Sequence, residues 1–232
     1  MRQQYLALSI LLFFGPLAAC APATGDGPRV EVEQLNEPVS FYPQETGATW
    51  QYLPDSARLD ERRVYQRVDG PTVLDGEVVT GWHLIGRGID EQHFRSYGQD
   101  GVFLLRTIKP GTIIDFRPAV QEFPAAGSLR LGASWGGETT ASVVYPDARP
   151  EHREASLDIR YRYTVVDERN ARVPAGEFTV FVIDFESVTV DELGRELERL
   201  SQTVWFSPHI GEVRTENGYF LIETNFFQLQ EP

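Results

Sequence analysis

The stretch Leu157-Asp-Ile-Arg-Tyr-Arg-Tyr-Thr-Val165 alternates apolar and polar side chains without a break. Apolar residues at every second position are typical of a β-strand with one buried face and one solvated face. A second stretch, Phe178-Thr-Val-Phe-Val-Ile-Asp-Phe185, is apolar on both faces. That pattern favours a strand that is covered on both sides, or one whose second face lines a cavity. Both stretches predict strands of an antiparallel sheet.

Turn signals recur along the rest of the chain, at Asp69-Gly70, Asp75-Gly76, Asp100-Gly101 and Asn217-Gly218. Each pair supplies the positive-φ residues that two-residue hairpins need. After the leader, no helical period extends beyond about two turns. The sequence therefore predicts an all-β body over residues 40–232, built as a single antiparallel curved sheet or an open half-barrel.

A weak internal repeat divides this body. Gly47-Ala-Thr-Trp50 recurs as Gly132-Ala-Ser-Trp135, and each copy is followed by an aromatic residue, a turn and a Gly-Val or Gly-Glu-Val element. Those later elements are Tyr97…Val102 and Trp205…Val213. We therefore predict two related antiparallel halves, residues 41–118 and 123–228, that build one continuous sheet.

The first residues of the chain predict export and lipidation. A positively charged start and the apolar run Tyr5–Phe14, which is too short to span a bilayer, predict a signal peptide over residues 1–19. Leu17-Ala-Ala-Cys20 matches the lipobox L-[AS]-[GA]-C, in which the cysteine receives a diacylglyceryl thioether and becomes the new N-terminus. The alternative is a plain secretory signal that is cut near Ala19 or Ala21.

Residues 20–39 are rich in Ala, Pro, Gly and acidic residues, and we interpret them as the lipidated N-terminus and a flexible tether. Several acyl chains together give stable membrane anchoring where one does not. Residue 21 is Ala rather than Asp, which by resemblance to the sorting rule of diderm bacteria favours the outer membrane. We expect the body on the periplasmic or the outer face of that membrane.

Charge and cysteine content exclude several function classes. The net charge of −13 repels nucleic acid, so the expected partners are the membrane, through the N-terminal lipid, and a lipid or an envelope protein. Cys20 is the only cysteine, so the body has no disulfide and no thiol chemistry. The sequence contains no phosphate-binding, dinucleotide-binding or calcium-loop motif, and we expect no cofactor and no metal.

Three motifs of the second half carry a resemblance to a family. They are Gly132-Ala-Ser-Trp135, Val173-Pro-Ala-Gly-Glu-Phe178 and Trp205-Phe-Ser-Pro-His-Ile-Gly-Glu-Val213. This order resembles bacterial envelope lipoproteins with the pattern G-x-x-W, V-P-A-G-x-F and W-[FY]-x-P-x-[IV]-G-x-V. The resemblance implies a single antiparallel β domain, broadly similar to the half-barrel carriers of lipids and lipoproteins. It implies no catalytic residues.

Ser134 lies in Gly132-Ala-Ser-Trp-Gly136, which satisfies the G-x-S-x-G pattern of a nucleophile elbow. The elbow needs a strand before the serine and a helix after it. Here the following residues, Glu138–Tyr145, are rich in β-branched side chains and predict a strand. We therefore expect no enzyme, with an envelope hydrolase using Ser134 as the alternative.

Two histidines raise the question of a metal site. His83 and His93 fall on neighbouring predicted strands, with Asp90 or Glu91 nearby, and facing each other they would offer a ligand pair. The four histidines of the chain share no close ligand spacing. We expect a surface pair rather than a metal site.

Asp184 and Glu186 place two carboxylates on one strand face, about 7 Å apart by strand rise. A pair of carboxylates is also the machinery of a glycosidase. Because Arg160 or Arg162 of the preceding strand would face them, cross-strand ion pairs are the expectation.

These observations leave two functional hypotheses, both without catalysis. The first is a half-barrel whose apolar face holds an acyl chain or a lipoprotein tail, with the ligand face made of Phe181, Phe185, Phe220 and Phe226. The second is a scaffold or interaction lipoprotein of an envelope assembly, which presents its acidic, arginine-rimmed sheet to a partner. An exposed apolar patch would favour the second.

Overall fold

The computed structural model of the chain describes Leu35 and residues 38–191 and 193–226. The predicted signal peptide over residues 1–19, Cys20 and most of the tether over residues 20–39 lie outside the described residues. Twelve strands occupy the described part: β1 Thr49–Pro54, β2 Val64–Leu74, β3 Glu77–Gly86, β4 Ile89–Gly98, β5 Gly101–Lys109, β6 Thr112–Pro124, β7 Ser134–Val144, β8 Glu154–Val173, β9 Gly176–Val190, β10 Glu196–Ser207, β11 Gly211–Arg214 and β12 Tyr219–Thr224. Among these residues no helix is long and apolar enough to cross a membrane.

The strands close into an antiparallel barrel in chain order. β12 pairs with β1, from Trp50 opposite Thr224 to Pro54 opposite Tyr219. The predicted all-β, antiparallel architecture is confirmed, whereas the predicted open half-barrel is wrong. Had the sheet stayed open, β1 and β12 would each carry a row of unpaired backbone groups, and closure removes both edges.

The alternating stretch of the sequence lies in β8 and shows which face is the interior. Tyr163 pairs with Trp135 of β7 and with Phe185 of β9. Its ring is stacked on Trp135 with the centroids 5.3 Å apart, and its centroid is 4.6 Å from that of Phe185. The polar side chains of the same strand, Arg160 and Arg162, face outward, as the alternation predicts.

Three of the four turn signals lie at hairpin turns, and one does not. Asp75-Gly76, Asp100-Gly101 and Asn217-Gly218 mark the turns after β2, β4 and β11. Asp69-Gly70 instead lies inside β2. There Val68 pairs with Trp82 and Gly70 with Gly81, so that Asp69 is the extra residue of a β-bulge. A bulge and a hairpin turn both use a glycine with positive φ, so the sequence signal is the same for both.

The G-A-x-W motif opens β1 and β7, the first and seventh of the twelve strands. In each copy the glycine N–H donates to the carbonyl of a valine in the next strand, and the valine N–H donates back to the alanine carbonyl, all at 2.9 Å. Those valines, Val68 and Val165, are each 1% exposed. Gly47 and Gly132 have φ values of 85° and 77°, where a side chain would be strained. The predicted duplication stays a prediction, but the two motifs adopt one backbone arrangement.

The β8–β9 hairpin is longer than its neighbours, and its tip packs on the outer face of the barrel. The Ala175 N–H donates to the Leu221 carbonyl at 3.1 Å, and the Arg169 guanidinium lies 4.8 Å from the centre of the Trp205 ring. Val180 is on the outer face of this hairpin and is nevertheless fully buried. This contact explains why the predicted strand is apolar on both faces.

Trp50 links β1 to the opposite end of the chain. Its indole is 1% exposed, donates from Nε1 to the Ile210 carbonyl at 2.6 Å, and stacks on Trp82 at 5.2 Å. We expect Trp50→Ala to lower the free energy of unfolding by about 3–5 kcal/mol, because it leaves a large cavity and an unpaired carbonyl. Urea denaturation measures this, with Leu59→Ala as the control at a site 61% exposed. Equal stability of the two variants would contradict the assignment.

Candidate functional site

The inner face of β4 carries charged side chains inside the barrel. The strand register places Glu91 opposite Leu84 and His93 opposite Trp82, both of which belong to or pack on the buried core. Arg95 follows on the same face by strand alternation. Charged groups inside a protein are costly unless they are paired and hydrogen-bonded. Glu91, His93 and Arg95 are therefore each expected to have a partner that offsets the cost of burial.

Arg95 is paired with Glu122 of β6 through two hydrogen bonds. Its Nε donates to Glu122 Oε2 at 2.6 Å and its Nη2 donates to Oε1 at 3.1 Å. The two side chains are only 12% and 16% exposed. A bidentate pair of this kind is the strongest form of charge-assisted hydrogen bonding, and here it offsets part of the cost of burying both charges.

Glu122 points into the barrel because β6 contains a bulge. Val102 of β5 pairs with Phe123, and the next residue, Phe103, pairs with Gln121, which leaves Glu122 without an opposite residue. Strict alternation along Gln121-Glu122-Phe123 would have placed Glu122 on the solvated face, opposite to Phe123. A bulge is not visible in this stretch of sequence, which is why sequence reasoning missed the residue.

His93 joins the pair to a second carboxylate. Arg95 Nη2 donates to His93 Nδ1 at 3.1 Å, so the ring proton is on Nε2, which donates to Glu91 Oε2 at 3.2 Å. Burial lowers the pKa of His93, which keeps the ring neutral at pH 7. The hydrogen bond from His93 lowers the pKa of Glu91 to about 2, and Lys109, whose Nζ is 3.1 Å from Glu91, adds to this effect. The five residues form one continuous network.

Glu212 of β11 lies beside this network without joining it. Its carboxylate has no hydrogen bond and no ion pair with any residue that the structure describes, although the Tyr52 hydroxyl donates to its backbone carbonyl at 3.0 Å. Burial raises the pKa of Glu212 to about 8, and the nearby Glu216 raises it further in the same direction. Glu212 is therefore largely protonated at pH 7.

Two small cavities meet at Trp82, Arg95 and Glu212. The larger has a volume of about 90 Å³ and the smaller about 40 Å³. The larger is lined by polar and aromatic side chains that include His93, Glu122, Glu212, Glu216 and Tyr219. Trp82 borders both, and its Nε1–H is buried without an acceptor among the described residues. A water molecule takes about 30 Å³ of liquid volume, so the larger cavity has room for a few waters or one small polar molecule.

The structure does not bring the four predicted ligand-face residues together. Phe181 and Phe185 face the interior, where Phe181 packs in the cluster of Val165, Ile183 and Phe206 and Phe185 packs on Tyr163. Phe220 is on the outer face, 5.6 Å from Trp205. Phe226 follows β12 and packs on Trp50 at 5.2 Å.

The two histidines considered for a metal do not face each other. His93 is on the inner face of β4, whereas His83 pairs with Arg67 and is on the outer face of β3. His83 Nε2 is hydrogen-bonded to Asp90 Oδ1 at a distance of 2.8 Å. Among residues 38–191 and 193–226, no group of three His, Cys, Asp or Glu residues is arranged to hold a metal ion.

Ser134 begins β7, so a strand and not a helix follows it. Its hydroxyl donates to the Tyr163 carbonyl at 2.9 Å and is 3.3 Å from the Thr164 hydroxyl. A nucleophile elbow would need a helix after the serine and a base beside it. Neither partner is a base, and the position is a strand entry.

The carboxylates of β9 also differ from expectation. Asp184 accepts a hydrogen bond from the Thr203 hydroxyl at 2.7 Å. Glu186 is opposite Arg162 in the register, yet no ion pair links either carboxylate to Arg160 or Arg162 within the described part of the chain. Because all four side chains lie on the outer face, solvent screens their attraction.

Comparison with known proteins gives only distant similarities. No family model matches the chain, and no curated protein matches it. A protein described as exported, with a YmcC-like fold, from Bacteroides fragilis is 14% identical, with a TM-score of 0.44 over 80% of this chain and 99% of its own. A protein described as a lipoprotein from Parabacteroides distasonis is 15% identical, with a TM-score of 0.46 over 81% and 99%. The hypothetical lipoprotein YmcC from Escherichia coli is 10% identical, with a TM-score of 0.40 over 76% and 83%. Similarities this weak assign no function to the chain.

The raised pKa of Glu212 makes stability depend on pH. Between the unfolded pKa of about 4.3 and the folded pKa of about 8, the unfolded chain loses the proton that the folded chain keeps, so stability falls as the pH rises. Glu212→Gln is neutral in both states. We expect its free energy of unfolding, relative to that of the wild type, to increase from pH 4 to pH 9. Urea denaturation across this range measures the difference, and a difference independent of pH would contradict the assignment.

Proposed function

We propose that the chain is a lipid-anchored protein of the bacterial outer membrane that acts by binding and catalyses no reaction. We further propose that it binds a small, positively charged molecule in the cavity beside Glu212. The observation that carries the binding site is the Glu212 carboxyl, which faces a cavity of about 90 Å³ without a partner among the described residues.

The anchor rests on the sequence. Leu17-Ala-Ala-Cys20 follows an apolar run of signal-peptide length, and residue 21 is Ala rather than Asp. A body attached in this way needs no membrane-spanning segment, since several acyl chains hold it stably at the bilayer. Ser134 begins a strand and its hydroxyl donates to the Tyr163 carbonyl, and this geometry, which differs from the strand–serine–helix of a nucleophile elbow, supports binding over hydrolysis.

The charge balance of the cavity favours a cation. Arg95 is neutralised by Glu122, which leaves Glu212 and the exposed Glu216 as the uncompensated groups at the cavity. A bound cation stabilises the ionised form of Glu212 and recovers the cost of its burial. Tyr219 adds aromatic surface of the kind that attracts cations, whereas the Trp82 ring already has the Arg95 guanidinium 5.0 Å from its centre and stacks on Trp50.

The acyl-chain alternative has less support. Pockets that hold drug-sized ligands enclose about 300–1,000 Å³. The two cavities that meet at Trp82 measure about 90 and 40 Å³. The phenylalanines proposed for an acyl chain are divided between the inner face, the outer face and the packing around Trp50.

Lipidation is tested by metabolic labelling with an alkyne-bearing fatty acid in an expressing bacterium. We expect label on the wild-type protein and none on Cys20→Ser, because Cys20 is the only thiol that could receive the lipid. Ala18→Ser keeps the L-[AS]-[GA]-C pattern and should keep the label. Labelled Cys20→Ser protein, or unlabelled wild type, would refute the anchor.

The ligand class is tested with methylammonium chloride as a cationic probe and sodium acetate as an anionic one, at equal ionic strength and pH 8.5. A ligand that binds only the folded state raises the melting temperature in proportion to the logarithm of its concentration. We expect a rise with methylammonium and none with acetate, and a smaller rise at pH 6.5, where Glu212 is largely protonated.

Two variants make this experiment specific. Glu212→Gln keeps the shape of the side chain and should abolish the response to methylammonium. Glu177→Gln removes an exposed carboxylate from β9 and should leave the response unchanged. An equal response to both probes, or the same response in wild type and Glu212→Gln, would end the proposal of a cation site.

A further inference from the structure

β10 is paired with β9 along its whole length but with β11 only through Trp205–Ser207. Residues 196–204 therefore pair with no other strand of the described chain on the side that faces away from β9, although the Thr203 carbonyl accepts a hydrogen bond from Arg214 Nη1 of β11 at 2.8 Å. The barrel is closed as a ring of strands, yet this segment is a free edge. Free edges of strands are templates for pairing with another chain.

Apolar side chains are exposed on this edge. Leu197 is 61% exposed and Leu200 is 44% exposed. Leu200 is on the inner face of β10, at a level of the sheet that β11 does not reach. Leu157 of β8 is also exposed on that face. Exposed leucines on an unpaired strand are a liability in a monomer and are usual at an interface.

We infer that this edge, residues 196–204 of β10, pairs with the same edge of a second copy of the chain to form an antiparallel two-fold dimer. In a symmetric pair of antiparallel strands, the two-fold axis is perpendicular to the sheet and lies midway between the two copies of one residue. It cannot lie between successive residues, because that would place side chains from opposite faces of the sheet across from each other. The centre of the free segment is Leu200. A two-fold axis there pairs residues 198–202 of one copy with residues 202–198 of the other.

The charges of the edge and the hydrogen-bonded carbonyl of Thr203 favour this register. An axis at Ser201 would pair Thr203 with Arg199, although the Thr203 carbonyl already accepts from Arg214. With the axis at Leu200, the two Leu200 side chains are opposite each other, Glu198 is opposite Gln202 and Arg199 is opposite Ser201. Moving the axis to Arg199 would oppose two arginines, and moving it to Glu198 would oppose two glutamates, both of which are destabilising. Moving it toward Ser207 would place the second copy where β11 already pairs.

A second copy fits better than an unrelated strand because each end of the segment complements the other. The Glu198 carboxylate can accept from the Gln202 amide, and this pair occurs twice, once on each side of the axis. Leu197 is the extra residue of a bulge, which limits the regular ladder to residues 198–202 and so discourages longer, unselective pairing.

Disulfide cross-linking in the intact, membrane-anchored protein tests this inference. Directly opposite residues of an antiparallel pair have Cα atoms about 4.5–5.5 Å apart, within the range that a disulfide can span. Leu200→Cys should therefore form a covalent dimer under mild oxidation, seen as a band of twice the monomer mass on a non-reducing gel. Wild type, in which Cys20 is the only cysteine, controls for linkage through that residue.

Ser201→Cys is the matched control. Ser201 is exposed and adjacent in sequence, but in the proposed register it is opposite Arg199, and the two copies of residue 201 are diagonal neighbours about 7–8 Å apart. We expect at least ten-fold less cross-linked dimer than with Leu200→Cys. Equal cross-linking of both variants would indicate random collision and would overturn the inference, as would a Leu200→Cys protein that stays monomeric.

Sedimentation of the detergent-extracted protein gives an independent measurement. Wild type should sediment as a dimer and Leu200→Arg as a monomer, because the axis would oppose two arginines. The melting temperature of Leu200→Arg should stay close to that of the wild type at low protein concentration, since the site is exposed. A monomeric wild type, or a dimeric Leu200→Arg, would overturn the dimer.

Discussion

The barrel depends on two indole hydrogen bonds where its backbone pairing is sparse. Trp50 Nε1 of β1 donates to the Ile210 carbonyl just before β11, and Trp135 Nε1 of β7 donates to the Glu122 carbonyl of β6. The bond of Trp135 matters because backbone pairing between β6 and β7 ends at Arg117 and Thr140. Beyond that point side-chain bonds replace the missing ladder. Each of these two indole N–H groups thus has an acceptor on another segment of the barrel, and the bond holds the two segments together.

Glu122 connects this closure to the polar interior. Its backbone carbonyl receives the Trp135 bond, while its side chain receives both bonds from Arg95. β6 leaves the ladder of β7 after Arg117, and the bulge that turns Glu122 inward follows further along the same strand. The last part of β6 therefore carries both the gap in the sheet and the paired charge inside the barrel. Glu212, in contrast, enters the interior without such a partner, and this difference makes it the candidate for a ligand contact.

Much of the architecture could be predicted from the sequence, and the functional site could not. The alternation of Leu157–Val165 predicts β8 and its inner face, and the two-faced pattern at Phe178–Phe185 predicts a strand covered on both sides. Closure could not be predicted, because pairing of β1 with β12 is a contact between the ends of the chain that leaves no local pattern. Glu122 was missed since a bulge reverses its face, and Glu212 because its burial depends on β4 across the barrel.

The residue that follows the last strand also determines how the barrel responds to a mechanical force. Asn225 follows β12 and forms hydrogen bonds with two segments: its carbonyl accepts from the Leu35 N–H at 3.0 Å, while its side-chain oxygen accepts from the Thr49 N–H at 2.8 Å and its amide donates to the Gly47 carbonyl at 2.9 Å. Leu35 precedes β1 and Asn225 follows β12, so a force applied at Leu35 acts on the junction between the first and the last strand. Hydrogen bonds from both ends of the barrel then share this force. A closed barrel pulled at this point resists at its seam, where an open sheet attached at one end would peel strand by strand.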